Sequence, residues 1–158
     1  MMYLNKLYTI SQLKENLKRI NENNITVGFT NGCFDLLHDG HLSLLSYAKQ
    51  KCDFLIVGLN SDLSVKLLKG RNRPIESELA RLKNLSIIND VDALIVFKEK
   101  TPLKIIKAIM PNIIFKGADY KYKEVIGSEI VIKNGGKIEY VDILEGFSTT
   151  NIIKNSSI

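Results

Sequence analysis

The feature that most constrains this chain is a regular alternation of two kinds of apolar pattern. Strand-length runs rich in Ile, Val and Phe occupy residues 25–30, 53–59, 93–97, 112–116 and 137–142, and helical spacing fills the intervals 41–51, 76–88, 102–110 and 127–134. The run Asp53-Phe54-Leu55-Ile56-Val57-Gly58-Leu59 is apolar at nearly every position, as expected of a strand whose sheet is covered by helices on both faces. Parallel neighbours need a crossover, usually a helix, so this alternation predicts a parallel sheet. The expected fold class is α/β, a doubly wound Rossmann-like parallel sheet in three α/β/α layers. Ahead of it, Ile10, Leu13, Leu17 and Ile20 fall at helical spacing behind Thr9 or Ser11 as a cap, giving a lead-in helix within residues 1–22. Pro102 suits the opening of one helix and Gly135-Gly136 the close of another.

A length of 158 residues fits one domain, 1–158, and no internal repeat or low-complexity linker divides it. Apolar residues make up 45 % of the chain, but no run reaches membrane-spanning length and the start lacks the basic-then-apolar pattern of a signal peptide. The expectation is a cytoplasmic protein with no membrane partner. Two cysteines, Cys33 and Cys52, make no disulfide framework. A net charge of +5 and a pI near 9.1 would suit a nucleic-acid binder, and suit equally an enzyme whose substrates carry several phosphates. The lysines are scattered, and Tyr120-Lys121-Tyr122-Lys123 reads as a surface loop rather than a base-stacking platform, so no nucleic-acid partner is expected.

In doubly wound sheets ligands bind beyond the carboxyl ends of the strands, at the switch point of the strand order. The only two histidines, His38 and His41, follow the first predicted strand in His38-Asp39-Gly40-His41. A strand, a glycine-containing turn and a helix start would aim both imidazoles at one spot suited to phosphate, where unpaired N–H groups and the helix dipole favour an anion. Gly40 removes a side chain that would keep the phosphate off the backbone. The plainer alternative is that both histidines merely pack or cap. Cys33, Asp35, His38 and His41 also offer a mixed ligand set, but zinc sites draw on two separated clusters and no second one exists in the chain, so no dedicated metal site is expected.

Two further stretches suit anions. Lys69-Gly70-Arg71-Asn72-Arg73-Pro74 is a basic, glycine-containing loop after the second strand, where arginine could clamp phosphate oxygens and lysine act as a point charge. Gly146-Phe147-Ser148-Thr149-Thr150 precedes a short helix through Lys154, and its hydroxyls could form a second cradle or simply cap that helix. Asn60-Ser61-Asp62 and Lys116-Gly117-Ala118-Asp119 follow strands two and four, so they are expected to converge with the histidine turn.

These residues resemble the nucleotidyltransferases that carry an HxGH motif, a group that includes cytidylyltransferases and pantetheine-phosphate adenylyltransferase. Within it the chain looks most like the adenylyltransferase domain of the bacterial heptose-phosphate enzymes that make ADP-heptose for lipopolysaccharide. The matching stretches are Phe29-Thr30-Asn31-Gly32-Cys33-Phe34-Asp35, His38 to His41, Val57-Gly58-Leu59-Asn60-Ser61-Asp62, Leu68-Lys69-Gly70 with Arg73-Pro74, Lys116-Gly117-Ala118-Asp119-Tyr120, and Ser148-Thr149-Thr150-Asn151-Ile152-Ile153-Lys154.

The resemblance implies in-line attack by a phosphate oxygen of a sugar 1-phosphate on the α-phosphate of ATP, with pyrophosphate leaving. Mg²⁺ would accompany the triphosphate. Such a reaction needs positioning and charge stabilisation more than a protein nucleophile. By analogy His38 and His41 stabilise the α-phosphate in the transition state, and Thr30 and Lys69 hold phosphate oxygens. Ser148, Thr149 and Thr150 bind the β- and γ-phosphates, and Arg81 reaches the same charge. Asn60, Asp62, Lys116 and Asp119 are candidates for sugar, base or metal contacts, and Asn31, Gly32, Cys33, Phe34, Asp35, Gly40, Gly70, Arg73 and Gly117 complete the implied nucleotide and substrate surface.

Two departures carry expectations. Related glycerol-phosphate cytidylyltransferases have an Arg-Tyr-Val-Asp motif that helps recognise cytosine, whereas this chain reads Asn89-Asp90-Val91-Asp92, which favours adenine. Many heptose enzymes join this domain to a sugar kinase, for which 158 residues leave no room, so a separate kinase is expected to supply the sugar 1-phosphate. A homo-oligomer, read as a dimer, is expected. The rival readings are a glycerol-3-phosphate cytidylyltransferase and, outside enzymes, a nucleotide- or nucleic-acid-binding module that keeps the cradle without transfer.

Overall fold

A computed structural model describes residues 5–142. Among these residues five parallel strands form one sheet: β1 (Val27–Gly32), β2 (Phe54–Asn60), β3 (Ala93–Phe97), β4 (Ile113–Gly117) and β5 (Lys137–Val141). Their spatial order is β3-β2-β1-β4-β5. The chain therefore builds outward from β1 to one edge and then crosses back to β4, placing the switch point between β1 and β4, where Gly28 pairs with Ile113 and Phe29 with Ile114.

Among the described residues six α-helices cover the sheet: α1 (Ile10–Asn21), α2 (Asp39–Lys51), α3 (Asp62–Lys69), α4 (Glu78–Ser86), α5 (Leu103–Ile109) and α6 (Ser128–Lys133). Alternate residues of β2 face opposite layers, which is why its sequence is apolar throughout. Leu55, Val57 and Leu59 pack with Leu45 and Ala48 of α2 and Leu82 and Leu85 of α4. Ile56 joins Phe29 and Ile114 against Leu13 and Leu17 of α1, Ile105 and Ile106 of α5, and Val131 of α6. The α/β class and doubly wound sheet are as expected.

Local chemistry sets the helix ends. Thr9 caps α1 in a reciprocal box with Gln12, and α1 lies inside the predicted lead-in segment. Pro102 stands at the N-cap of α5, one residue before its first turn, and Gly135 takes a positive φ of 87° just after α6. Helix α3 was not expected. Its apolar residues Leu63 and Leu67 point outward, 59 % and 56 % exposed, so no buried stripe announces it; the legible signals were the Ser61 cap and Gly70, which closes the helix at φ 103°.

Candidate functional site

The histidine turn lies at the carboxyl end of β1. Between Gly32 and His38 the chain turns sharply, with Phe34 at φ 48° and Leu36 at φ 57°, left-handed conformations that bulky residues adopt only when the surroundings enforce them. Part of that enforcement is Asp35, 1 % exposed, whose carboxylate accepts from the backbone N–H of Ile75 (2.8 Å) and Glu76 (2.9 Å) and from Arg73 Nε (2.9 Å). Burial alone would raise the Asp35 carboxyl, but these donors outweigh it and hold the group below the ordinary carboxylate range.

His38 is the N-cap of α2, and its Nδ1 accepts the N–H of Gly40 at 3.1 Å. His41, one turn on, accepts the N–H of His38 on its own Nδ1 at 3.3 Å. The rings stack, centroids 3.8 Å apart and planes 20° from parallel, and Phe34 lies 5.1 Å from His41. Capping and function are thus not alternatives at this turn. With both Nδ1 atoms accepting from backbone N–H groups, the neutral tautomer carries its proton on Nε2, a donor suited to phosphate oxygen. Burial, with His38 adjoining, pushes the His41 imidazole down to about 4. Burial also lowers His38, partly offset by Asp39. Two backbone donors of this helix start, those of His38 and Gly40, are thus committed to the imidazoles rather than left open for an anion as expected of the Gly40 backbone.

Across the switch point, Lys116 Nζ donates to Asn31 Oδ1 at 2.6 Å and stands 5.2 Å from the centre of the Tyr120 ring. Burial pushes this lysine down to about 8, against the pull of Asp119. Its hydrogen-bond partner is a neutral amide.

These groups line one cleft of about 540 Å³ at the carboxyl ends of the strands. Thr30, Asn31, Gly32, Cys33 and Phe34 enter it from β1 and its loop, and His38, Gly40 and His41 from the start of α2. Asn60 enters from β2, Lys69 and Arg73 from the end of α3 and its loop, and Lys116, Gly117 and Asp119 from β4. The cations therefore flank the histidines, Lys69 and Arg73 on the β2 side and Lys116 on the β4 side.

Four expected residues stand elsewhere. Arg81 is fully buried, its Nε on the Glu76 carbonyl, Nη1 on the carbonyls of Cys33 (2.8 Å) and Asn60 (2.7 Å), and Nη2 on Asp62 Oδ1 (2.8 Å). It braces the ends of β1 and β2 from behind and lies outside the cleft lining, which corrects the expectation that it reaches phosphate. Asp62 serves that brace, Asp35 holds the loop, and Gly70 closes α3; none lines the cleft. Ser148, Thr149 and Thr150 lie outside the described residues.

The stretch Asn89-Asp90-Val91-Asp92 precedes β3, at the end of the sheet opposite the cleft, and Asp92 is occupied by Lys49 and the N–H of Leu55, both at 2.7 Å. Within one subunit it cannot meet a base in the cleft, so the missing arginine loses its force as evidence for adenine.

The sequence profile of the cytidylyltransferase-like family matches residues 29–155. The chain belongs to that family. It is 49 % identical over 144 residues to "Bifunctional protein HldE" of Nitrobacter winogradskyi, covering 91 % of this chain and 30 % of the relative, and 53 % identical over 129 residues to the protein of the same name from Caulobacter vibrioides, covering 82 % and 27 %. It thus spans about 30 % of the length of the curated relatives it matches. Among solved structures it resembles a lipopolysaccharide core biosynthesis protein of Thermoplasma volcanium, with a TM-score of 0.61 and 31 % identity over 76 % of this chain and 97 % of the other. It shares its fold with pantoate-beta-alanine ligase of Francisella tularensis, with a TM-score of 0.66 and 18 % identity over 94 % of this chain and 72 % of that one. As a member of the cytidylyltransferase-like family, the chain is a nucleotidyltransferase enzyme.

Several cleft residues of this nucleotidyltransferase escaped the sequence. Lys100, Thr101 and Pro102 reach the cleft because α5 leads from edge strand β3 to β4 and must cross over the ends of β2 and β1. Glu124, Val125 and Ile126 close the other side, and Leu44 and Leu68 add apolar wall. Tyr120 turns into the cleft through the short 3-10 turn Ala118–Tyr120, whereas Tyr122 of the same aromatic and basic stretch is 93 % exposed. Among the described residues no cluster of three or more His, Cys, Asp or Glu side chains could hold a metal ion, and no helix is long and apolar enough to cross a membrane.

Proposed function

We propose that this domain transfers AMP from ATP to D-glycero-β-D-manno-heptose 1-phosphate, giving ADP-heptose and pyrophosphate. The observation that carries the transfer step is the stacked pair His38/His41, presenting Nε2–H donors between cations on both sides of one cleft. A phosphate oxygen of the sugar phosphate attacks the α-phosphorus of ATP; the new P–O bond forms as the bond to the β-phosphate oxygen breaks. The imidazoles, fixed by their Nδ1 bonds, donate to the α-phosphate oxygens as charge builds there, with no reorganisation needed at the moment of reaction. Lys69 and Arg73 on one side and Lys116 on the other hold the remaining phosphate oxygens.

Mg²⁺ fits this cleft as an ion carried by the triphosphate, with Asp119 and Glu124 the carboxylates nearest to hand in the lining. When bound it neutralises charge on the leaving pyrophosphate. The heptose acceptor and the adenine base rest on the motif resemblance, on relatives bearing the HldE name and on a structural relative described as a lipopolysaccharide core biosynthesis protein. On this reading a sugar kinase activity supplies the acceptor, and the chemistry takes place in the cytoplasm.

The deciding experiment is pyrophosphate release with Mg²⁺, crossing ATP, CTP, GTP and UTP against heptose 1-phosphate and glycerol 3-phosphate. Release with ATP and the heptose phosphate alone is expected. Release only with CTP and glycerol 3-phosphate would keep the mechanism and overturn both substrates.

A further inference from the structure

Behind the cleft wall sit two buried ions, Asp35 and Arg81, neither of which lines the cleft. Asp35 comes from the loop carrying the histidine turn, and its carboxylate accepts from Arg73, Ile75 and Glu76 of the loop between α3 and α4. Arg81 meets the same loop from the other side, because the residue whose N–H goes to Asp35 gives its carbonyl to Arg81, and that residue is Glu76. Burying two ions carries a desolvation cost that their contacts at best offset, and well-packed apolar residues commonly serve stability as well. Stability alone therefore does not account for this arrangement.

Arg73 shows what it achieves. The side chain is 13 % exposed, lines the cleft and commits Nε to Asp35 at 2.9 Å. Among the described residues its two terminal nitrogens have no protein acceptor. A guanidinium is a rigid planar fork, so fixing Nε fixes the direction of both terminal N–H pairs.

We propose that Asp35 is a positioning residue for nucleotidyl transfer: it aims the Arg73 guanidinium into the cleft as a ready-set clamp for substrate phosphate. The loop that holds the histidines thereby also sets the anion site on the facing loop. The inference rests on the reading of Arg73 as a phosphate ligand and goes beyond it by naming what orients that ligand.

The test is a double-mutant cycle on Arg73→Met and Asp35→Asn, with dissociation constants for ATP–Mg²⁺ and for heptose 1-phosphate measured by calorimetry, which needs no turnover. Arg73→Met is expected to weaken at least one of them tenfold or more, and Asp35→Asn to weaken the same one to a similar degree. The double variant should then bind no worse than Arg73→Met alone, since both changes remove one contact. Effects that multiply would overturn the positioning role while leaving the Arg73 reading intact. Unchanged binding in Arg73→Met would overturn that reading and the inference together. Should Asp35→Asn fail to fold, Arg73→Lys decides. Lysine keeps the charge but cannot hold Asp35 and present a fork, so a loss close to that of methionine is expected, and wild-type affinity would overturn the inference.

Discussion

Lys116 Nζ and Asn31 Oδ1, 2.6 Å apart, join the ends of β4 and β1 across the point where the strand order reverses. Neither residue is near the other in sequence, and the contact places a half-buried cation against a neutral partner beside the histidine turn. A cation in that state is poised for an anion. On the proposed function, substrate phosphate relieves the desolvation cost of this lysine.

Lys116→Met is therefore expected to stabilise the ligand-free protein while weakening substrate. The folded pKa near 8 lies below the unfolded value of 10.5, so the folded chain binds the proton less tightly. Stability contributed by this group rises with pH between about 8 and 10.5, and below that window the charged lysine costs the fold on the order of 2–3 kcal/mol. Thermal unfolding at pH 7 should show an equal or higher Tm in the variant, alongside a KM raised at least tenfold for one phosphorylated substrate. A clear drop in Tm would contradict the picture of an uncompensated cation.

The imidazole of His41 should stay neutral to about pH 4 in the empty protein. Because its folded pKa is depressed below the ordinary 6.5, its contribution to stability is complete above 6.5 and is lost as pH falls from there to about 4, by up to about 3 kcal/mol. Long-range proton–nitrogen NMR should report the Nε2–H tautomer at pH 7, and addition of ATP should move the midpoint upward. A midpoint near 6.5 without ligand would count against the buried, backbone-capped geometry.

His41→Gln separates capping from chemistry. Glutamine at the third helical position can still accept the N–H of residue 38, as in an ordinary capping box. The variant should keep its Tm within a few degrees and lose two or more orders of magnitude in kcat, the scale of removing one transition-state donor. Steady-state pyrophosphate release at saturating substrates checks this, and near-normal turnover would remove His41 from the proposed mechanism.

Gly28→Ala tests the sheet rather than the site. A Cβ at this position would stand 2.7 Å from both Cys52 Sγ and Phe115 Cε2, inside the packed layer between β1, β4 and the end of α2. The expected destabilisation is about 1–3 kcal/mol, the usual cost of overpacking. Chemical denaturation should show it as a lower midpoint with an unchanged slope.

The strand positions, the parallel class and the helices with an inward apolar face were legible because burial imposes a period of 2 or 3.6 on the residues that meet the core. Helix α3 was not, since Leu63, Leu67 and Leu68 stay exposed and Val65 alone of its apolar residues is buried in so short a segment. The histidine turn was legible because its residues are contiguous. Lys100, Thr101 and Pro102 were not, because only the path of α5 across the sheet brings them to the cleft.

By itself the sequence determined the layers of this protein and the chemistry available at each strand end, because periodic burial and contiguous motifs are local properties of the chain. Only the tertiary structure decided which charges face substrate. Arg81 and Arg73 look alike in the sequence, yet one is enclosed by carbonyls at the ends of β1 and β2 and the other is turned by Asp35 into the cleft. That difference arises from partners 21 to 48 residues away in the chain, and no local pattern encodes it.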